Sequence, residues 1–447
     1  MYFVAIDLGA TYIKSCLVDQ KNFEISNIKR EKFPSFDTDT NNPDYKTVSL
    51  SRIVEIVKNT LIQQVSTGGV CKGIFFSNQM HGFVLFKNTG EAVTPFISWQ
   101  DKRVLKVKDS SNRIAFDILR EKTKNFIWNH ETGEHLRAGF PVTQLFAMSL
   151  SQMSLDGLIP LDLGNAVISK LSHVFDPKID TTNASAMGCW SISEKNWHSD
   201  LLKNLNLDKL AWPQIVESGT QVSITSICGQ KIPLHVSVGD QQVSLLGAGF
   251  NQNSQVSVNI ATGSQVSVLS PDLCKSQFQV RPYFNGKYLN TITHIPAGRS
   301  LNALLRLFSE LNTDFDIDKA WQRVDTLMGD ARENGLTIDL AFFDSAFANQ
   351  GSLNGIIEDN LNVGAIMRAA FEAIASSHLK AYKILSSNKD KYSEIIGSGG
   401  VFKKSKYLQT RISDTFGIKL KLSNGLEDAL LGCAVLTRQR DSEVIKS

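Results

Sequence analysis

Short apolar blocks at residues 2–6 and 13–18 flank the turn Asp7-Leu8-Gly9-Ala10-Thr11-Tyr12. This is the pattern of a β-hairpin whose tip carries an acid. The same plan returns in the second half: an apolar run at 256–260, the turn Ala261-Thr262-Gly263-Ser264, and a second run at 265–269. Further strand-like runs lie at 73–76, 83–86 and 236–238, and apolar residues at helical spacing predict helices over 50–64, 300–309, 365–385 and 405–416. Strands alternating with helices predict an α/β architecture. Residues 33–44 are polar, carry Pro34 and Pro43, and read as loop. Two similar hairpins, each opening one half of the chain, suggest a duplicated fold with a nucleotide between the copies.

At 447 residues the chain is long for one core. Two domains of roughly 200 residues each are expected, with the changeover near residue 248, giving domains 1–248 and 249–447. A composition of 42% apolar and 20% charged residues fits a packed globular protein. The net charge of +3 gives no reason to expect a nucleic-acid or membrane partner. The six cysteines have neither paired nor zinc-site spacing, so buried, reduced thiols are expected. No secretory leader pattern opens the sequence and no apolar run reaches the ~18 residues of a bilayer span, so the expectation is a soluble, cytoplasmic protein.

Candidate chemistry gathers at four places. Glycine turns let backbone N–H groups approach phosphate oxygens, and a neighbouring hydroxyl adds a donor without bulk; Gly9, Thr11, Thr262, Gly263 and Ser264 have that character. Asp7, at a strand end, suits a hydrated magnesium ion bridging phosphates. Each hairpin taken alone also reads as an ordinary turn. The run Gly397-Ser398-Gly399-Gly400 leads from a strand into a helix, where absent Cβ atoms leave room for a base or ribose, although such turns are common in α/β proteins. Gln79-Met80-His81 and Trp99-Gln100-Asp101-Lys102-Arg103 supply the donors, acceptors and aromatic wall that suit a polyhydroxylated ligand. His81 and Trp99 also read as structural residues, and Asp101 with Arg103 as a surface ion pair. Between the two hairpins stands Asp240, in Gly239-Asp240-Gln241-Gln242. It reads either as one acid held at a cleft between two domains or as the cap of a helix.

Taken in order, these segments resemble the FGGY carbohydrate kinases, of the two-lobed actin/hexokinase/Hsp70-like (ribonuclease H-like) duplicated fold. The likeness is carried by Asp7-Leu8-Gly9, Gln79-Met80-His81-Gly82, Trp99-Gln100-Asp101, Asn183-Ala184-Ser185, Glu217-Ser218-Gly219, Gly239-Asp240, Thr262-Gly263-Ser264, the 397–400 run, and Gly351-Ser352-Leu353-Asn354-Gly355-Ile356 leading into 365–372. It implies transfer of the γ-phosphoryl group of ATP, with Mg2+, to a terminal sugar hydroxyl. Asp240 would be the general base, and Gln79, Met80, His81, Trp99, Asp101, Asp240 and Gln241 the sugar site. Gly9, Thr11, Lys14, Thr262, Gly263, Ser264, Gly399 and Gly400 would hold the nucleotide and Asp7 the metal. A monomer or homodimer is expected.

Three positions depart from the family pattern: Ala10 replaces a threonine, the glycine of 261–264 is shifted, and Ala365 stands where a polar residue is usual. Met80-His81 replaces the Arg-Glu pair of glycerol kinases and looks like the xylulokinase and sedoheptulokinase branches. Ser98-Trp99-Gln100-Asp101 and Arg281-Pro282-Tyr283-Phe284-Asn285 are closer to sedoheptulokinases. Sedoheptulose is therefore the expected acceptor, with xylulose or ribulose second. Ala10 and the shifted glycine motivate the rival reading, a non-catalytic sugar or nucleotide sensor.

Overall fold

The computed structural model describes residues 1–38, 42–151, 153–172, 174–274, 276–310, 316–330, 335–386, 392–423, 425 and 427–444. The chain forms two compact units, the first of Met1–Ala248, Lys275–Tyr288 and Gly425–Ser447, the second of Gly249–Cys274 and Leu289–Asn424. The expected second domain 249–447 is not continuous, because two later stretches pack within the first unit.

In the first unit, strand Tyr2–Leu8 has every residue buried. It lies between Tyr12–Asp19, antiparallel, and Cys71–Asn78, parallel. Burial on both faces explains its unbroken apolar run. Ile25–Lys32 extends this sheet on one side, and Gln230–His235 and Gln221–Ile227 on the other. Helix Leu50–Val65 buries Ile53, Val54, Val57 and Leu61, the i, i+1, i+4, i+8 stripe read from the sequence, in a core with Val4, Ile6 and Ile74.

The second unit repeats the plan. Gln255–Ile260 lies between Ser264–Ser270, antiparallel, and Glu394–Ser398, parallel, with Lys419–Leu422 beyond. Its helices Gly298–Ser309, Val363–Leu385 and Lys406–Phe416 fall where the sequence places them. The Asn362 side chain accepts from the Ala365 N–H and that of Ser405 from the Leu408 N–H, while Gly417 ends the last helix with φ 65°.

Two expectations need correction. The strand at 236–238 is broken: Gln230–His235 ends, and a two-residue strand, Val238–Gly239, forms beside Ser77 and Asn78. Ser237 interrupts it because its N–H donates to Asn165 Oδ1 and its carbonyl accepts from Asn183 Nδ2, so side chains replace the ladder there. Of the six free cysteines, Cys228 and Cys274 are exposed rather than buried. The loop over 33–44 has no regular structure where described; residues 39–41 lie outside the described residues. Among the described residues, no helix is long and apolar enough to cross a membrane.

Candidate active site

Strand register brings the two key acids to one end of the first unit's sheet. Asp7 pairs with Ser77, and Val238 and Gly239 pair with Ser77 and Asn78, so Asp7 and Asp240 leave the carboxyl ends of strands on either side of Cys71–Asn78. That edge is where open α/β sheets place ligands. Helix Asp240–Gly247 begins at once, with Gly239 as its cap residue. Asp240 is therefore the first helical residue and not the cap.

Burial raises the Asp240 carboxyl to about 7, and the negative charge of Asp7 adds to this against the Gln241 N–H and the Arg281 charge. Asp7 is also pushed up by burial, opposed by Lys14 and by Ser77, whose hydroxyl donates to Asp7 Oδ1 at 2.9 Å. A buried carboxyl raised further by a neighbouring carboxylate suits proton or metal chemistry more than stability.

A buried polar frame holds the loop before Asp240. The Gly239 N–H donates to Thr182 Oγ1 at 2.8 Å, and the Thr182 hydroxyl donates to Asp180. Asp180 caps helix Thr181–Ala186 and accepts from Ser218 Oγ. Asn183 Nδ2 donates to Asn78 Oδ1 at 3.1 Å, and Ser237 Oγ donates to the same oxygen at 2.7 Å. Asn183 and Ser218, seen in the sequence only as motif members, thus fasten the strand end that aims Asp240. A Cβ at Gly164 would lie 1.9 Å from Ser237 Oγ, so only glycine fits beside this frame.

Gln79, Met80 and His81 turn between strands Cys71–Asn78 and Phe83–Phe86. Gln79 is buried, and among the described residues its Nε2 has no hydrogen-bond partner, a donor that a ligand hydroxyl would satisfy. His81 adopts φ 63° and stacks on Phe140 at 4.9 Å. Burial lowers its imidazole to about 4, so Nδ1–H donates to the Ala186 carbonyl at 2.9 Å and Nε2 is left as an acceptor. Trp99 is 45% exposed, a free aromatic face and not core. Gln241 is the second residue of the Asp240 helix and partly buried.

Asp101 is placed differently from expectation. Its oxygens accept from Arg103 N, Nε and Nη2 and from Lys46 N, all at 2.9 Å, in a fully buried pair. It braces the Trp99 loop, and both its oxygens are engaged within the protein. The pair is buried and is not a surface ion pair.

Gly9 and Thr11 form the tip of the first hairpin, closed by Gly9 N–H to Tyr12 O at 3.1 Å, with Thr11 exposed. Lys14 sits between two carboxylates, 2.9 Å from Glu427 and 3.8 Å from Asp7. In the second unit Thr262 and Gly263 are exposed at the other hairpin's tip. Ser264 is not at that tip: it begins a strand, is buried, and its hydroxyl is engaged by the Asn259 carbonyl and the His378 imidazole. Gly399 has φ 96°, and a Cβ there would meet Ile260 O at 2.3 Å, so glycine is required by the fold itself. At Gly400 a Cβ would meet nothing within 4 Å, which leaves space for a ligand.

The sequence did not single out Glu134 and Arg281, which form a buried ion pair closing around His81 and Asp240 electrostatically. Although burial raises the Glu134 carboxyl, the Arg281 charge holds it below its usual range. Partners 147 residues apart leave no local pattern; the only trace was Arg281 at the head of the 281–285 phrase.

Comparison with known proteins gives one answer. Residues 2–247 match the N-terminal domain of the FGGY family of carbohydrate kinases and residues 262–438 its C-terminal domain. A xylulose kinase of Staphylococcus xylosus is 24% identical over 97% of this chain and 90% of its own length. A glycerol kinase of Agrobacterium fabrum is 24% identical over 59% of this chain and 53% of its own. The solved structure of a xylulose kinase from Rhodospirillum rubrum superposes with TM-score 0.84 at 15% identity, covering 99% of this chain and 90% of that one. With both domains matched in order, this chain belongs to the FGGY family of carbohydrate kinases, and it is an ATP-using sugar kinase.

Proposed function

We propose that the chain transfers the γ-phosphoryl group of MgATP to a terminal hydroxyl of a ketose, with Asp240 as general base. The observation that carries this reading is Asp240 itself: a recessed carboxyl at a strand's carboxyl end, beside Asp7, titrating at about 7. A base is most effective when its pKa lies near the working pH. Asp240 would orient the alcohol and accept its proton as the new P–O bond forms.

Magnesium fits the donor set. Mg2+ is usually held by one or two carboxylates and substrate phosphates, keeping several waters, and Asp7 and Asp240 are acids whose mutual repulsion a cation relieves. Asp7 would hold the ion, which neutralises charge on the phosphates when bound. Gly9, Thr11, Thr262, Gly263 and Gly400 would face the nucleotide, Lys14 would supply a phosphate cation, and Gly399 would shape the strand-to-helix turn. Gln79, Met80, His81, Trp99 and Gln241 would form the sugar site, Gln79 Nε2 as donor and His81 Nε2 as acceptor. A cytoplasmic setting goes with this chemistry.

Met80 and His81 favour a ketose over glycerol, and the 98–101 and 281–285 phrases favour sedoheptulose over xylulose or ribulose. ADP release, measured by a coupled assay over sedoheptulose, xylulose, ribulose and glycerol, is expected to rank sedoheptulose first by kcat/KM; glycerol in first place would overturn the ketose reading.

The placement of Ser264 supports a second expectation. Ser264→Ala should lower stability by about 1 kcal/mol, the scale of one buried hydrogen bond, and leave the KM for ATP within about twofold. Thr262→Ala, at the exposed tip, should do the reverse. Melting curves beside ATP titrations separate the two; a large KM rise in Ser264→Ala alone would return that hydroxyl to the phosphate site.

A further inference from the structure

We infer that Glu427 is a positioning residue for the phosphate hairpin, holding the Lys14 ammonium off Asp7 and turned toward the nucleotide. This rests on the MgATP reading above. Asp7, Lys14 and Arg30 stand side by side on three consecutive strands, Asp7 paired with Lys14 and Lys14 with Arg30 in register. Residues directly opposite in antiparallel strands present their side chains on one face. Two cations would therefore meet there with only Asp7 to balance them.

Glu427, from the stretch just before helix Asp428–Val444, supplies the missing charge. Its carboxylate is buried, with Oε2 2.9 Å from Lys14 Nζ and Oε1 bonded to Arg30 Nη2. Lys14 stays 3.8 Å from Asp7 Oδ2, beyond hydrogen-bonding distance. Without Glu427 the nearest carboxylate for Lys14 is Asp7, the acid assigned to the metal. The ammonium would close on it, compete with Mg2+, and leave the phosphates without their cation. A structural ion pair would have no such selectivity: its loss would weaken sugar and nucleotide binding alike, through stability.

Glu427→Gln keeps the shape and removes the charge. In the full-length chain, titration calorimetry with MgADP is expected to show an affinity about tenfold weaker. The Mg2+ concentration for half-maximal turnover should rise in parallel, and sugar affinity should stay within twofold. Lys14→Met, which leaves the Glu427–Arg30 pair in place, should weaken MgADP to a similar degree. The double variant should then be no weaker than either single one, because the two residues act through one contact. Additive losses in the double variant would overturn the inference, as would parent-like MgADP affinity in Glu427→Gln. Should Glu427→Gln fail to fold, parent-like affinity in Lys14→Met overturns it instead. A parent chain that does not bind MgADP removes the nucleotide reading as a whole, a result distinct from parent-like variants.

Discussion

Asp240→Asn is expected to reduce kcat for phosphoryl transfer by about three orders of magnitude, within the range for a positioned general base. Sugar and MgATP affinities should remain near those of the parent, because asparagine keeps the volume and can still accept from the Gln241 N–H. Steady-state kinetics with separate binding titrations give both quantities; turnover within tenfold of the parent would remove Asp240 from the chemistry. The same variant should be more heat-stable than the parent at pH 8. The folded-state carboxyl titrates at about 7, above the ~3.9 of an unfolded aspartate. Between these values the folded state holds more protons, so stability falls as pH rises through the window and stays low above it. The advantage of Asp240→Asn should therefore be full at pH 8 and vanish near pH 4. Asp162, raised by burial to about 7, and Asp180, to about 6, carry the same sign. The parent's own melting temperature should decline over the same range.

Gly432→Val should be among the most damaging changes outside the candidate site. Helices Asp240–Gly247 and Asp428–Val444 meet through two glycines: a Cβ at Gly432 would lie 1.9 Å from Val243 O, and one at Gly247 1.9 Å from Asp428 O. Both obstacles are backbone, which cannot swing aside, so a branched side chain must push the helices apart. A loss of about 3 kcal/mol is expected from overpacking of this kind, or roughly 6–12 °C in melting temperature. Activity should fall further than stability alone explains, since Asp240 heads one of the two helices. Gly400→Ala is the control, with open space at its Cβ; it should melt with the parent and weaken ATP only. Equal melting temperatures for Gly432→Val and the parent would mean that the helices do not hold this contact in solution.

Much of this organisation was legible in the residues because it is local. Both hairpins, the long helices and the Gly239-Asp240 step are set by alternation, capping and turn chemistry within a few positions. The bracing of Asp101 was hidden for the converse reason: one of its partners is Lys46, which the fold brings from 55 positions away. Ser264 was grouped with Thr262 because both are hydroxyls beside one glycine. Only the register of Ile260 against Ser264 turns one inward and leaves the other outside. The Glu134–Arg281 and Lys14–Glu427 pairs join residues far apart along the chain, and no window of sequence contains them. The interrupted strand at Ser237 was hidden as well, its backbone partners being asparagines from two other segments.

The return of residues 275–288 and 425–447 to the first unit has a consequence for synthesis. The Gly133 carbonyl waits for the Val280 N–H, which donates to it at 2.8 Å, and Glu134 waits for Arg281. A nascent chain halted after residue 248 would carry an interior carboxylate without its counter-charge, a costly state. The unit begun first is thus completed only after the other has been made, and a stop codon at position 428 would strip it of helix Asp428–Val444, which packs on helix Asp240–Gly247.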